Sequence, residues 1–315
     1  MSEYDKNMVM MTRVAWMHYI QGMTHEEIAL RVGFSRSKVT RMLAKAREAG
    51  IVEINLKGAY RACVELEESL KEKTGLSKVI VAPSGNDFES TQVSVGKAAA
   101  DYLNGCLCKN DVLGLAWGMS FKKILPYIKD RSALGITTVQ LMGGVATSEF
   151  VDPQRIVSQI TNRLGARGVL KSVPVVVDSW KIKKALLSDS GVREMMEKVS
   201  ECTRALMGIG SAIPEESSIC RANVVSRGEM LKIHESGAVG DVIGWFIDAE
   251  GKVIDTPMNE RMMSPAPEVV KQIPEKIIET SGLIKLEPTI AAIRGRWVDV
   301  LIIDEELAGA IDKRL

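Results

Sequence analysis

Residues 24–43 have the sequence THEEIALRVGFSRSKVTRML, and this stretch decides the fold of the N-terminal part of the chain. Thr24, with Glu27 three residues later, has the pattern of a capping box, which begins a helix. Gly33 predicts a tight turn, and Ser35 is typical of the N-cap of a further helix. Two short helices joined by a glycine turn indicate a helix-turn-helix unit.

The helix after the glycine turn has one apolar face and one strongly basic face. Val39, Met42 and Leu43 are expected to face inward, whereas residues 35–47 contain five basic residues and no acidic residue. Hydroxyl and basic groups near the start of such a helix match the base edges and phosphates of a DNA major groove. The predicted DNA-binding residues are Ser35, Arg36, Ser37, Lys38, Thr40, Arg41 and Lys45. The alternative is a basic helix face that contacts only solvent.

Two further elements are expected on either side of this unit. Apolar residues at helical spacing predict an amphipathic helix over 8–21, which Gly22 ends. Alternating apolar residues predict a strand over 51–56, directly after the basic helix. A strand at that position indicates a winged helix-turn-helix, with Lys57 near the phosphate backbone.

The charge distribution agrees with a local contact to a polyanion. Residues 1–58 carry nine Lys/Arg and six Asp/Glu, whereas the other residues carry 32 and 34, although the net charge of the chain is only +1. A basic head on a nearly neutral body indicates one nucleic-acid contact surface, not a wholly basic coat. No apolar run predicts a membrane span or a signal peptide, so we expect a cytoplasmic protein with no membrane partner.

Cysteines, histidines and glycine motifs give no sign of a cofactor. The chain has five cysteines and three scattered histidines, which excludes a secreted disulfide framework and predicts no metal site. There is neither a G-x-G-x-x-G nor a G-x-x-x-x-G-K-[ST] motif. We therefore predict no cofactor, no metal and no catalytic residue.

The rest of the chain predicts an α/β domain. A charged helix in 59–76 is interpreted either as a linker or dimerisation helix or as an ordinary surface helix of the next domain. From Ser77 onward strands and helices alternate, which is typical of a mostly parallel sheet covered on both faces. The predicted domains are 1–58, 59–76 and 77–315. The strands are expected at 78–82, 112–116, 136–142, 169–177, 205–209, 276–279 and 298–303, with a hairpin over 242–254 turning at 249–251.

Ligands of such sheets bind at the carboxyl ends of the strands. Glycines follow four of the predicted strands, at 118, 143–144, 208–210 and 282. Glycine lets backbone N–H groups approach an anion closely, although glycine after a strand is usually only a turn. Gly143 and Gly144 are candidate ligand-binding residues on this ground.

Five further sequence motifs follow one another along nearly the whole chain. They are the N-terminal run from Ala15-Trp16 to Met42-Leu43, Gly114-Leu115-Ala116-Trp117-Gly118, Gln140-Leu141-Met142-Gly143-Gly144, Ala205-Leu206-Met207-Gly208-Ile209-Gly210-Ser211, and Gly237-Ala238-Val239-Gly240-Asp241-Val242-Ile243-Gly244. In these motifs and their order, the chain resembles the SorC family of sugar-responsive bacterial transcriptional regulators.

The resemblance implies a DNA-binding head on a Rossmann-like effector domain, similar in fold to ribose-phosphate isomerases and glucosamine-phosphate deaminases. It implies a homo-oligomer, typically a tetramer, that binds two-fold related half-sites of operator DNA under the control of a sugar, polyol or sugar-phosphate effector. By resemblance Gly118, Met119 and Ser120 lie in the phosphate-binding loop, Asp241 accepts ligand hydroxyls, and Lys285 contacts the ligand.

Some alternatives stay open at this level. Met119 stands where many members have a hydroxyl residue, and the loop before Lys285 lacks the family's glycine pair, so an unphosphorylated polyol is an alternative to a phosphate. Asp241 is otherwise a cap at a hairpin, and Lys285 a solvated loop lysine. The rival function is a sugar-phosphate isomerase or deaminase with an accessory head. A further alternative is a Schiff base between Lys285 and an aldehyde sugar.

Overall fold

The computed structural model describes residues 3–52, 58, 60–116, 118, 120–145, 153–170 and 173–315. The chain forms two compact units, Met1–Gly58 and Ala59–Leu315, which are considered separately. No helix in these ranges is long and apolar enough to cross a membrane. The five cysteines all lie in these ranges, and none of them forms a disulfide.

The N-terminal unit is a three-helix head that contains the predicted helix-turn-helix. Its helices are α1 (Glu3–Tyr19), α2 (His25–Val32) and α3 (Arg36–Glu48). The Thr24 side chain accepts from the Glu27 N–H while Glu27 accepts from the Thr24 N–H, so the capping box is complete. Gly33 has φ 70°, a left-handed conformation that glycine adopts at little cost, and it turns the chain from α2 into α3.

The head folds around the apolar faces of these three helices. Its buried residues are Val14, Ala15, Met17, Ile28, Ala29, Val39, Met42, Leu43 and Ala46. The first helix begins earlier than the predicted residue 8 and ends at Tyr19. Ile51 and Val52 pack against the core of the head. Residues 53–57, which contain most of the predicted wing and Lys57, lie outside the described residues.

The larger unit alternates strands and helices, as predicted for an α/β fold. Its strands are β1 (Lys78–Ala82), β2 (Val112–Leu115), β3 (Thr137–Gln140), β4 (Arg167–Val169), β5 (Arg204–Met207), β6 (Ile209–Ser211), β7 (Gly240–Val242), β8 (Trp245–Ile247), β9 (Glu275–Glu279) and β10 (Val300–Asp304). Its α-helices are α4 (Arg61–Thr74), α5 (Phe88–Cys106), α6 (Phe121–Ile124), α7 (Pro153–Leu164), α8 (Trp180–Ser188), α9 (Ser190–Glu197), α10 (Ser218–Arg221), α11 (Arg227–Glu235), α12 (Pro267–Lys271), α13 (Leu286–Arg294) and α14 (Glu305–Arg314).

Within the described ranges, seven strands form one sheet in the order β1-β10-β9-β5-β2-β3-β4, and every neighbouring pair is parallel. Two hydrophobic clusters contain alternate strand residues; Leu113 and Leu115 belong to one, Ala205 and Met207 to the other. This pattern is typical of a parallel sheet covered on both faces. The strand order reverses between β2 and β5, which creates a crevice at their carboxyl ends.

A second sheet, β6-β7-β8, is antiparallel and lies after the carboxyl end of β5. The hairpin turn predicted at 249–251 is confirmed, since the Asp248 N–H donates to Lys252 O over 2.9 Å, but the predicted hairpin contains an additional reversal: β7 and β8 are joined through Ile243 and Gly244. These residues have φ 48° and 84°, and the Gly244 N–H donates to Asp241 Oδ2 over 2.9 Å. The run from Val242 to Ile247 contains no polar turn residue, so its hydrophobic pattern did not predict the turn at Ile243 and Gly244. A second reversal does occur at Gly251, where Ile247 pairs with Val253.

The strand predicted over 169–177 is wrong over its described residues, because only Val169 belongs to a strand; residues 171 and 172 lie outside the described residues. β4 ends at Val169, and Pro174 and Val176 form only isolated bridges, to Gly144 and Met262. Proline has no N–H to donate, so it interrupts a continuous strand ladder.

The helix predicted within 59–76 is α4, and it packs on the larger unit. The Ser69 hydroxyl donates to Asp312 over 2.6 Å, and Lys73 forms an ion pair with the same carboxylate over 2.9 Å. Glu67 accepts the Val81 N–H of β1 over 2.8 Å. These contacts are those of an ordinary helix of the second domain; a role in dimerisation stays a prediction.

Candidate functional site

The exposed face of α3 carries every predicted DNA-binding residue. The buried residues of the helix are Val39, Met42, Leu43 and Ala46. The exposed residues include all seven predicted ones: Ser35, Arg36, Ser37, Lys38, Thr40, Arg41 and Lys45. Burial of one face and exposure of the other leaves hydroxyl and basic groups available over the whole length of the helix.

Some of these seven side chains contact other groups of the head, whereas others have no ion pair with a described residue. Ser35 caps α3 by accepting the Lys38 N–H, and the Lys38 ammonium lies 3.7 Å from the centre of the Phe34 ring. The Thr40 hydroxyl donates to Arg36 O over 3.1 Å and lies 3.0 Å from His25 Nδ1. Arg36, Arg41 and Lys45 have no ion pair with any described residue, so their charges are available to a polyanion.

The larger unit contains a cavity of about 770 Å³ at the carboxyl ends of β2, β5 and β9. These three strands are neighbours on either side of the point where the strand order reverses. The polar lining comes mainly from Ser120, Lys122, Lys123, Arg221, Asp241, Glu279 and Lys285, and the apolar lining includes Phe88, Ile209, Ile243 and Ile284. Such a cavity has the size and the mixed lining of a small-molecule site.

Asp241 lies on β7 and is only 6% exposed. Its Oδ2 accepts the Gly244 N–H, whereas its Oδ1 has no partner among the described residues. Gly210 makes this position possible, because a Cβ on Gly210 would lie 1.8 Å from Asp241 Oδ1. Burial raises the pKa of Asp241, while the Gly244 N–H and the charge of Lys285 act in the opposite direction.

Glu279 is the last residue of β9 and is 1% exposed. Its Oε2 accepts the hydroxyl hydrogen of Ser120 over 2.6 Å, and its Oε1 has no partner among the described residues. Burial raises the pKa of Glu279 to about 7, against the smaller opposing effects of Ser120 and Lys285. The side chains that follow β2 and end β9 therefore meet inside the cavity.

Lys285 lines the same cavity as Asp241 and Glu279 and interacts electrostatically with both. It ends a short 3₁₀ turn, Leu283–Lys285, that follows β9. Burial lowers the pKa of its ammonium group, Asp241 and Glu279 raise it, and the nearby charge of Arg221 lowers it further. A lowered pKa favours nucleophilic attack by the amine, so the Schiff-base alternative stays a prediction that borohydride trapping tests.

The structure brings together four of the seven predicted effector-binding residues: Gly118, Ser120, Asp241 and Lys285. Met119 lies outside the described residues. Gly143 and Gly144 do not line this cavity, and their N–H groups already donate to Met263 O and Val173 O. Their role is close packing, since a Cβ on Gly143 would lie 2.4 Å from Pro174 O.

Sequence reasoning missed Glu279 and Arg221. An acidic residue directly after the apolar pair Ile277-Ile278, at the carboxyl end of a predicted parallel strand, was the available signal for Glu279, because that position faces the ligand-binding edge of a sheet. Arg221 lies at the end of α10, a four-residue helix that no periodic pattern predicts. No group of His, Cys, Asp or Glu in the described ranges has the arrangement of a metal site.

Comparison with known proteins agrees with this division of the chain. The family described as "Putative sugar-binding domain" matches residues 59–311, and "Sigma-70, region 4" matches residues 16–49. The first match covers the whole sheet and the cavity, and the second covers most of the helix-turn-helix head.

Relatives and solved structures extend the agreement to the full length. An uncharacterised transcriptional regulator of Escherichia coli strain K12 is 29% identical over 299 residues, which are 93% of this chain and 91% of that protein. The erythritol catabolism regulatory protein of Brucella abortus is 25% identical over 99% of this chain and 98% of its own. The crystal structure of the full-length sorbitol operon regulator of Klebsiella pneumoniae covers 96% of this chain and 98% of its own, with a TM-score of 0.75 and 25% identity.

These relatives are named as regulators rather than enzymes, which removes the isomerase or deaminase alternative. The head places a basic helix on its surface, and the body places a polar cavity at the strand ends of a sugar-binding domain. The chain belongs to the SorC family of transcriptional regulators.

Proposed function

We propose that this regulator controls a carbohydrate or polyol utilisation operon in response to a small polyhydroxylated effector, either a sugar, a polyol or a sugar-phosphate. The single observation that carries the proposal is the cavity at the carboxyl ends of β2, β5 and β9, where Asp241 and Lys285 meet. The erythritol and sorbitol systems in the names of two relatives support this class of effector.

The chemistry of the cavity fits a ligand rich in hydroxyl groups. Asp241 Oδ1 and Glu279 Oε1 are buried acceptors without a partner in the described part of the chain, and an unpaired buried acceptor costs about 1–3 kcal/mol. Ligand hydroxyl hydrogens would satisfy them, while Lys285 and Arg221 supply donors for ligand oxygens. Gly118 and Ser120 are proposed to contact the same ligand from the loop after β2.

The head is proposed to bind operator DNA through α3. Ser35, Arg36, Ser37, Lys38, Thr40, Arg41 and Lys45 are the proposed contacts, since all of them lie exposed on one helix or its cap. One such head reads few base pairs, so two-fold related half-sites and a homo-oligomer, a tetramer by family resemblance, form part of the proposal. A protein of this function works where the DNA is, in the bacterial cytoplasm.

The test combines effector binding with DNA binding. Wild-type protein is screened by thermal shift against sugars, polyols and their phosphates, where a ligand at 100 times its Kd adds about 2.7 kcal/mol of stability. An operator fragment selected by the wild-type protein from random DNA then reports binding by fluorescence anisotropy. The selected ligand should change the affinity for this fragment.

The variant Asp241→Ala distinguishes effector binding in the cavity from DNA binding by the head. Loss of a charge-assisted hydrogen bond costs about 1.5–3 kcal/mol, so effector affinity should fall about ten- to a hundred-fold. Operator affinity without effector should equal that of the wild type, because Asp241 lies outside the head. Glu235→Ala, an exposed acidic residue on α11 away from the cavity, is the matched control. An Asp241→Ala protein with an unchanged effector response would show that the effector binds elsewhere.

A further inference from the structure

The hydrogen bond between Ser120 and Glu279 joins the segment after β2 to the end of β9 in the wall of the cavity. Ser120 lies in the loop that family resemblance assigns to a phosphate, and its hydroxyl is 2.6 Å from Glu279 Oε2. A carboxylate only accepts, so the hydroxyl hydrogen of Ser120 points to Glu279. Ser120 then offers a ligand its acceptor lone pairs and no hydrogen.

The neighbouring groups add more acceptors. Glu279 Oε1 and Asp241 Oδ1 are buried, and no described residue donates to them. Sugar and polyol hydroxyls bring the hydrogens that these oxygens need. A phosphate dianion brings only acceptor oxygens, and its negative charge would lie beside buried carboxyl groups in a low-dielectric surrounding.

Two of the four described basic residues that line the cavity, Lys123 and Lys285, are opposed by acidic groups. Lys285 interacts electrostatically with Asp241, Glu216 and Glu279, so three carboxyl groups share its charge. Lys123, which also lines the cavity, forms an ion pair with Glu89 over 2.7 Å. The charges of Lys285 and Lys123 that offset these carboxyl groups are therefore less available to a second anion.

We propose that Glu279 is a specificity-determining residue, which makes the cavity select an uncharged polyol or sugar over the phosphate monoester of the same compound. It acts by holding the Ser120 hydroxyl and by placing an acidic group where the phosphate of an esterified ligand would approach. This inference rests on the proposed function, because it places the effector in this cavity.

The experiment measures ligand selectivity in the full-length protein by isothermal titration calorimetry at pH 8. The probes are four- to six-carbon alditols and their terminal monophosphates, and the variant is Glu279→Gln. The wild type should bind an alditol at least ten times more tightly than its monophosphate. Glu279→Gln should narrow that ratio at least tenfold, because the amide carries no charge and its NH₂ group donates to phosphate oxygens.

Glu235→Gln is the matched control, since it removes one exposed carboxylate outside the cavity. It should keep the wild-type ratio. The head is identical in all three proteins, so anion binding by its basic helix cancels in the comparison. A wild type that prefers the monophosphate, or a Glu279→Gln protein with the wild-type ratio, would overturn the proposal.

A second probe separates this inference from the proposed function. Inorganic sulfate is a tetrahedral dianion at pH 8 and needs no identified effector. Glu279→Gln, or Glu279→Ala if the amide variant does not fold, should bind sulfate at least ten times more tightly than Glu235→Gln. Equal sulfate affinities would refute the role of Glu279. Absence of binding by every sugar, polyol and phosphate would instead refute the proposed function.

Discussion

Glu279 illustrates how a single buried acid links ligand recognition to stability. Burial raises its pKa to about 7 in the folded protein, from an ordinary value of 4.5. Between these two pH values the unfolded chain loses the proton first, while the folded protein retains it. The folded state therefore binds more protons, and its stability falls as the pH rises through this window and levels off above about pH 7.

The first prediction follows from this fall in stability with rising pH. Between pH 5 and pH 8 the wild type should lose on the order of 2–3 kcal/mol of unfolding free energy through Glu279, at about 1.4 kcal/mol per unit of pKa. The unfolding free energy of Glu279→Gln should not show the decrease that Glu279 causes, whereas that of Glu235→Gln should still show it. Urea unfolding at both pH values measures the difference, and any pH-independent cost of the amide cancels. A Glu279→Gln protein with the wild-type pH dependence would contradict the raised pKa.

Ile243 and Gly244 show a second effect at the scale of the residue. A β-branched residue at positive φ is uncommon, and Ile243 has φ 48° directly beside the cavity. The Gly244 N–H holds Asp241 Oδ2, so the shape of this turn positions the proposed effector contact. Local strain is thus stored next to the ligand and maintained by the surrounding core.

At the scale of the element, the β7–β8 hairpin supports a second prediction. Gly244 has φ 84°, and a Cβ there would lie 2.7 Å from the Met262 sulfur, so Gly244→Ala should destabilise the fold by about 1–3 kcal/mol. It should also weaken effector binding, because the hydrogen bond to Asp241 is disturbed. Gly228→Ala on α11 is the control: no atom lies near its Cβ, and alanine favours a helix. Equal unfolding free energies for the two variants would contradict this account.

Helix α3, which is proposed to contact operator DNA, gives the third prediction. Arg36→Ala and Arg41→Ala should each weaken operator binding, by about 1–3 kcal/mol with relaxed specificity where the arginine reads a base. Where the arginine contacts phosphate, all sequences should weaken alike and the salt slope should fall by about one. Both side chains are exposed and unpaired in the described head, so thermal stability should stay unchanged. Anisotropy titrations at several salt concentrations distinguish these cases, and wild-type affinity in both variants would remove α3 from the interface.

The success of sequence reasoning varied with the kind of signal. The capping box at Thr24, the glycine turn at Gly33 and strands such as β1 were predictable, because short-range caps and continuous apolar runs determine them. The turn at Ile243 was not predictable from its apolar sequence, since tertiary packing and the Asp241 hydrogen bond stabilise it. Glu279 lies in the site because the strand order of the sheet places β9 near β2. These two strands are far apart in the sequence.

At the scale of the whole molecule, control requires that the effector bind one global state better than another. The two compact units keep the basic helix and the polar cavity in different parts of the chain. Coupling by a few kcal/mol is enough to change operator affinity substantially, because each 1.4 kcal/mol corresponds to a factor of ten.

The fourth prediction concerns assembly. Half-site recognition by small heads requires at least a two-fold dimer, and family resemblance raises the expected state to a tetramer. Multi-angle light scattering of the full-length protein at micromolar concentration should give an oligomer both with and without operator DNA. A monomer under both conditions would contradict the proposed mode of operator binding.

The residues that line the cavity are distinct from those that form the apolar core of the sheet, and this division has a consequence for evolution. The groups proposed to face the ligand lie at strand ends or just after them, as Glu279 and Ser120 do, whereas the two faces of the sheet are packed with apolar side chains. Substitution at these positions is expected to alter the ligand that is sensed and to leave the apolar core of the sheet intact. A lineage can therefore exchange one nutrient signal for another through a few codon changes, while the same scaffold is inherited unaltered.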